Sequence, residues 1–252
     1  MDRNLSRRSW LGVAGATAAA AALAACGSAP RPATTTTVTV AASPTTFAGP
    51  PRPAITDPNA AFERLVQGNQ RFVDARMQHP DQSPEHRLRV SQAQHPFAAI
   101  LTCSDSRVPP EVLFDQGLGD LFVIRVAGNI ADVSEMGSVE YAVAHLGAPL
   151  VVVIGHERCG AVEATLDSIQ NHTTPHGSVA ALVDAIAPAV PVARQRSGDL
   201  LDNTIRVNAE MSRDAITKSP ELTDPLKRGQ LKVLAAYYDL DDGRVSVIDA
   251  NS

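Results

Sequence analysis

Cysteine is scarce in this chain: of 252 residues only Cys26, Cys103 and Cys159 carry a thiol. An odd and sparse set excludes the disulfide framework that staples small secreted domains. Basic charge is not in excess either. The formal net charge is −5, which argues against a nucleic-acid binder, because such proteins usually present a clustered basic face. The Ala-rich stretch Leu11–Ala25 is too short to be a spanning helix, which needs roughly 20 apolar residues. What the chain does have is 44% hydrophobic residues, enough for one domain with a substantial core.

That N-terminal stretch has its own pattern. Ser6-Arg7-Arg8-Ser9-Trp10-Leu11 is a twin-arginine pattern, and the apolar run after it ends in Leu23-Ala24-Ala25-Cys26. This ending resembles the lipobox of bacterial lipoproteins, in which the cysteine is lipidated and becomes the first mature residue. Residues 1–25 are therefore expected to be a signal peptide, kept out of the fold argument. Cys26 is the expected lipidation site. Removing residues 1–25 takes away three arginines and one aspartate, so the mature chain is more acidic still. An acidic chain gains nothing from anionic headgroups, and acyl chains would have to hold it, at about 0.8 kcal/mol per buried methylene. The expected location is extracytoplasmic, lipid-anchored to the bacterial cell envelope after twin-arginine export. Oxidising surroundings there would threaten two free thiols unless something occupies them.

From Cys26 to residue 56 the chain is rich in Pro, Thr and Ala with no recurring apolar face, which reads as an extended tether. The folded domain is expected over residues 57–252. Asp57-Pro58 reads as an N-cap with proline at the first helical position. Phe62, Leu65, Val66, Asn69, Phe72 and Val73 then follow helical spacing. Three short apolar runs, Ala98–Thr102, Leu121–Ile124 and Leu150–Ile154, read as buried strands. Helix is predicted over Ser134–Leu146, after Cys159, and within 178–218. LKVLAAYYDL and RVSVID flank Asp241-Asp242-Gly243, a hairpin signal. The alternation implies an α/β fold: a mainly parallel central sheet flanked by helices, with a C-terminal hairpin or edge strand.

Chemistry-bearing residues cluster at strand ends. Cys103 follows the first apolar run, and His156 and Cys159 follow the third, in Gly155-His156-Glu157-Arg158-Cys159-Gly160. Sites in open α/β sheets gather at the carboxyl ends of strands. If the two strands are neighbours, two cysteines and one histidine converge, the ligand set of a catalytic zinc with an open fourth position. Spacing alone leaves other readings open. Cys103 could be a small buried residue or a nucleophile activated by His156.

Taken together, Cys103-Ser104-Asp105-Ser106-Arg107 and Gly155-His156-Glu157-Arg158-Cys159-Gly160 resemble the β-class carbonic anhydrases. Phe122-Val123-Ile124-Arg125-Val126-Ala127-Gly128-Asn129 and Glu140-Tyr141-Ala142-Val143 resemble the family's intervening segments, and the likeness runs from about Asp57 to Ile248. The resemblance implies a zinc-dependent carbon–oxygen lyase, reversibly hydrating carbon dioxide to bicarbonate by zinc-bound hydroxide, with one Zn2+ per chain. It makes Cys103, His156 and Cys159 the metal ligands, and Asp105 and Arg107 the catalytic dyad. A guanidinium can hold a carboxylate by two charge-assisted hydrogen bonds, which would keep Asp105 off the metal. It also implies a substrate pocket of Gln94, Phe122, Tyr141 and Gly160, assembled from two subunits of a homo-oligomer, a dimer or higher. Two alternatives share this ligand set: a hydrolase of carbon disulfide or carbonyl sulfide in the same fold, and a non-catalytic zinc-binding envelope lipoprotein.

The chain departs from the family's allosteric branch. Ile100 and Thr102 stand where that branch carries tryptophan and glycine, so the resemblance implies a site that stays open rather than one gated by regulatory bicarbonate. Ala127 replaces a frequent valine, which would widen the pocket.

Overall fold

The computed structural model describes residues 54–248. The expected signal peptide, Cys26 and most of the tether lie outside the described residues. No helix among the described residues is long and apolar enough to cross a membrane.

The domain opens with α1 (Pro58–Val73), started as its sequence predicts: the Asp57 carboxylate accepts the Ala60 N–H at 2.8 Å, and proline occupies the first turn. Its buried face is Ala61, Leu65, Gly68 and Asn69. Val66, expected on that face, is 50% exposed, because the stripe is narrow and polar Asn69 takes an inward position. Asn69 earns that place by hydrogen bonding: its Nδ2 donates to the carbonyls of Leu113 and Gly243, and its Oδ1 accepts the Val245 N–H.

After α2 (Pro84–Val90) come β1 (Ala98–Thr102), α3 (Pro110–Leu113), β2 (Leu121–Arg125), α4 (Val133–Ala144) and β3 (Leu150–His156). There follow α5 (Gly160–Asn171), α6 (Val179–Ile186), α7 (Ala189–Ala193), α8 (Leu200–Thr217), a 3-10 turn at Pro220–Leu222 and α9 (Thr223–Lys227). The chain then forms β4 (Lys232–Tyr238) and β5 (Val245–Val247). The sheet order is β2-β1-β3-β4-β5. The first four strands run parallel, and β5 turns back antiparallel on β4. This is the predicted α/β architecture, with the C-terminal hairpin at its edge.

Every residue of β1 and β3 is buried, as continuous β-branched and apolar runs require when helices cover both faces. The decisive pairing is between these two strands. Thr102 lies opposite Ile154, so Cys103 and His156 emerge side by side at the carboxyl edge. Thr102 is itself buried and its hydroxyl donates to the Ile154 carbonyl at 3.3 Å. Helix α8 packs on β3 and β4; a side chain at Gly155 would put its Cβ 3.0 Å from Ile205 Cγ2 and 3.2 Å from the Ile205 carbonyl. Glycine there lets the helix close on the strand that delivers His156.

Candidate metal centre

Three elements deliver one ligand atom each. Cys103 follows β1, His156 is the last residue of β3, and Cys159 is the residue that starts α5. Their ligating atoms lie within 4.8 Å of one another, and the side chains are 4%, 0% and 1% exposed. The thiols are not joined in a disulfide.

The imidazole orientation assigns its tautomer. His156 Nδ1 lies 2.9 Å from the Glu157 carbonyl oxygen; a carbonyl only accepts, so Nδ1 carries the hydrogen and Nε2 keeps a lone pair. That Nε2 is buried with no hydrogen-bond partner. An orphaned buried acceptor costs free energy unless a ligand satisfies it. A ring fixed through Nδ1–H to a carbonyl, with a free Nε2, is how a metal-binding histidine is set.

The thiols tell the same story. A hydrogen bond from Cys159 pulls the Cys103 thiol well below its usual range; burial opposes this, and the Gly128 N–H, 3.3 Å from Sγ, adds to it. Cys159 is pushed up by that shared hydrogen bond, by burial and by the thiolate beside it. One proton leaves easily and the second is held, because two buried anions repel. A divalent cation between them removes that obstacle, so the donor set fits zinc. Gly128 can present its N–H to the sulfur because its φ of +77° suits glycine, and a Cβ there would approach Ile186 Cδ1 to 2.6 Å. The Asn208 amide holds the carbonyl of the same residue at 2.7 Å.

Beside the cluster sits the acid–cation pair. Arg107 donates from Nε to Asp105 Oδ1 at 2.9 Å and from a terminal nitrogen to Oδ2 at 2.8 Å, and its backbone N–H reaches Oδ1 at 2.9 Å. The Arg107 side chain is the main reason the Asp105 carboxyl is held down at about 2. Asp105 Oδ2 is 3.9 Å from His156 Nε2, so the carboxylate borders the position a metal would take while its lone pairs face the guanidinium. Arg125, at the end of β2, clamps this loop: it donates to the Cys103 carbonyl at 3.0 Å and to the Asp105 carbonyl at 2.5 Å. The role of Arg125 was not drawn from the sequence. Its signal was a single cation closing the apolar run LFVI.

The remaining expected site residues divide. Gly160 opens α5 next to Cys159 and its surroundings are open, with nothing within 4 Å of a Cβ built there. Phe122 and Tyr141 do meet each other, their ring centroids 6.0 Å apart, and Tyr141 is 47% exposed rather than core. Within one chain they are not brought to the cluster. Phe122 pairs with Ala99 near the amino end of β1, and the four residues on to Cys103 cover about 13 Å. Exposed Gln94 precedes β1 altogether, so the strand separates it from Cys103.

Similarity to known proteins agrees with this geometry. Residues 98–245 match a family model described as carbonic anhydrase. The chain is 42% identical to carbonic anhydrase 2 of Mycobacterium tuberculosis over 195 residues, covering 77% of this chain and 94% of that protein. It is 40% identical to a carbonic anhydrase of Mycolicibacterium smegmatis, covering 76% of this chain and 94% of the relative. Among solved structures, the β-carbonic anhydrase CafA of Aspergillus fumigatus superposes with a TM-score of 0.60 at 25% identity, over 75% of this chain and 91% of that one.

Proposed function

Because this chain belongs to the β-class carbonic anhydrases, we propose that it reversibly hydrates carbon dioxide to bicarbonate at a zinc ion held by Cys103, His156 and Cys159. The observation that carries this reading is the orphaned His156 Nε2 between two buried thiols, bordered by a carboxylate that Arg107 keeps occupied. When bound, zinc supplies the Lewis acidity that makes a water nucleophilic near neutral pH.

The protein's own groups do the rest. Asp105, with its carboxyl held at about 2, stays ionised and so acts only as a hydrogen-bond acceptor. It accepts a hydrogen bond from the attacking oxygen and so turns that oxygen's lone pair toward the substrate carbon. Arg107 occupies both carboxylate oxygens, fixing that direction and stopping Asp105 from becoming a fourth ligand. The first amide of α5, at Gly160, stands where a helix N-terminus favours an anion such as bicarbonate.

Phe122, Tyr141 and Gln94 complete the pocket from a second copy of the chain. The separation of these residues from Cys103 within one chain supports that arrangement, and with it a working unit of at least two chains. The twin-arginine pattern and L-A-A-C ending support export and anchoring through lipid on Cys26, outside the described residues. Stopped-flow hydration by the purified chain, with its zinc content, tests the reaction; zinc-loaded protein that leaves carbon dioxide unhydrated above pH 8 refutes it. A Cys26→Ala variant should leave the membrane fraction, and its retention there would refute the anchor.

A further inference from the structure

Arg158 lies between two metal ligands, yet its side chain points its bonds elsewhere. The guanidinium donates to both oxygens of Asp241, at 3.1 and 2.6 Å, and to Glu157 Oε1 at 2.9 Å. Asp241 sits in the turn between β4 and β5. That turn is stiff: Asp239 Oδ1 accepts the N–H groups of Asp241 and Asp242, and the Gly243 N–H donates to the Asp239 carbonyl. It is tied to the core through buried Asn69, which holds the Gly243 carbonyl and the Val245 N–H. Glu157 adds a second strap, accepting the Leu240 N–H while its own N–H donates to the Tyr238 carbonyl.

The backbone of Arg158 is left-handed, with φ of 51°, a conformation that costs any residue bearing a β-carbon. With the residue in this conformation, its carbonyl accepts a hydrogen bond from an Arg107 terminal nitrogen at 3.2 Å. The same nitrogen donates to Asp105 Oδ2. An unbroken series of contacts therefore runs from Asn69 through the hairpin turn, Asp241 and Arg158 to the Arg107–Asp105 pair.

The arrangement adds little to stability. Arg158 and Asp241 are 49% and 72% exposed, and ion pairs in such settings contribute little. Nor is it a cation site. Glu157, Asp239 and Asp241 approach one another, but the Arg158 guanidinium and backbone amides use their oxygens.

We infer that Arg158 is a positioning residue: the β4–β5 turn grips its side chain so that its carbonyl holds Arg107, and through it Asp105, in working orientation. The kinetic consequence rests on the hydration reading; the structural link does not. The test uses the full, zinc-loaded chain with Arg158→Gly, which keeps left-handed freedom while deleting the grip, and Asp241→Ala. Arg158→Lys serves as the conservative variant, and Arg244→Ala, whose guanidinium reaches Asp242 in the same turn, as a hairpin control.

The expected result is a fall in kcat of about 3- to 10-fold for Arg158→Gly and Asp241→Ala, the worth of one ordinary solvent-exposed hydrogen bond, with KM within about twofold. Arg158→Lys recovers part of the loss, as a point charge can replace part of a fork. Zinc per chain stays at its wild-type value and the thermal midpoint does not fall, and Arg158→Gly adds nothing in an Arg107→Ala background. Independently of activity, the Arg107 backbone amide exchanges with deuterium faster in Arg158→Gly and Asp241→Ala than in Arg244→Ala. Unchanged kcat and unchanged Arg107 exchange in both variants overturn the inference, as does a kcat loss matched by lost zinc or lost stability. If the wild type fails to hydrate carbon dioxide, the functional reading falls, and the exchange comparison still decides the positioning role.

Discussion

Asp105 receives three hydrogen bonds from Arg107, two from the guanidinium and one from the backbone N–H. A single neighbour two positions along the chain thus determines both the charge and the direction of the carboxylate at the edge of the metal cluster.

Asp105→Asn should therefore lose about a hundredfold in kcat/KM, in the range expected for losing one preorganised hydrogen-bonding group at the reacting oxygen, with zinc content unchanged. The amide would turn a donor toward the guanidinium or toward the nucleophile, and one contact would fail either way. Stopped-flow hydration with metal analysis on the same sample measures this. Activity within threefold of wild type would remove Asp105 from the mechanism.

Metal removal should be visible in stability as well as in rate. A ligand that binds only the folded state at a hundred times its Kd stabilises by about 2.7 kcal/mol, or about 5 to 10 °C in Tm for a domain of this size. Chelated protein should melt lower by that amount and recover on adding zinc. His156→Ala and Cys159→Ser should hold less than one zinc per chain and show little zinc-dependent shift.

If the pocket is shared between subunits, two inactive variants should rescue each other. Cys159→Ser lacks a ligand but keeps its Gln94; Gln94→Ala keeps the ligands but lacks the amide. Co-expressed, they form mixed oligomers in which one intact cluster faces one intact Gln94. Hydration above the sum of the separate variants is expected, and its absence would place Gln94 outside the partner's site.

Asp115 offers a prediction about the scaffold. Its side chain is 0% exposed and accepts from Arg71 Nε at 2.6 Å and from the N–H groups of Gln78 and His79. Burial works against its charge, but these donors win and hold the carboxyl below its ordinary range. A depressed folded value means its stabilisation is present above the unfolded value near 3.9. It is then lost as pH falls from there through the folded value. Asp115→Ala leaves the donors unpaired and should cost about 3 kcal/mol at pH 7. Urea unfolding should show that difference at pH 7 and a shrinking one as pH falls below the unfolded value.

Much of this molecule was legible from local pattern. The cap at Asp57-Pro58, the apolar runs of β1, β2 and β3 and the turn signal at Asp241–Gly243 each depend on a few adjacent residues, and each formed where expected, although β2, read as buried, is the edge strand and only its Ile124 is buried. Strand β3 runs two residues further than its apolar run, through Gly155 to His156. Its pairing with Tyr237 and Tyr238 of β4 extends the ladder past the apolar segment. The exposure of Val66 was not legible, nor were the partners of inward-facing Asn69, which lie on α3 and the distant hairpin.

By itself the sequence determined which elements form and which donor types stand at their ends, because periodicity, capping and side-chain chemistry act over a turn or a strand. It also carried the family likeness. Only the tertiary structure decided that β1 and β3 are neighbours, bringing Cys103 to His156 and Cys159. It likewise decided that Gln94 and Phe122 lie toward the other end of the sheet and that a C-terminal turn reaches Arg158. Strand order and register are choices among distant segments, made by the collective burial of the sheet, and no short window of residues contains them.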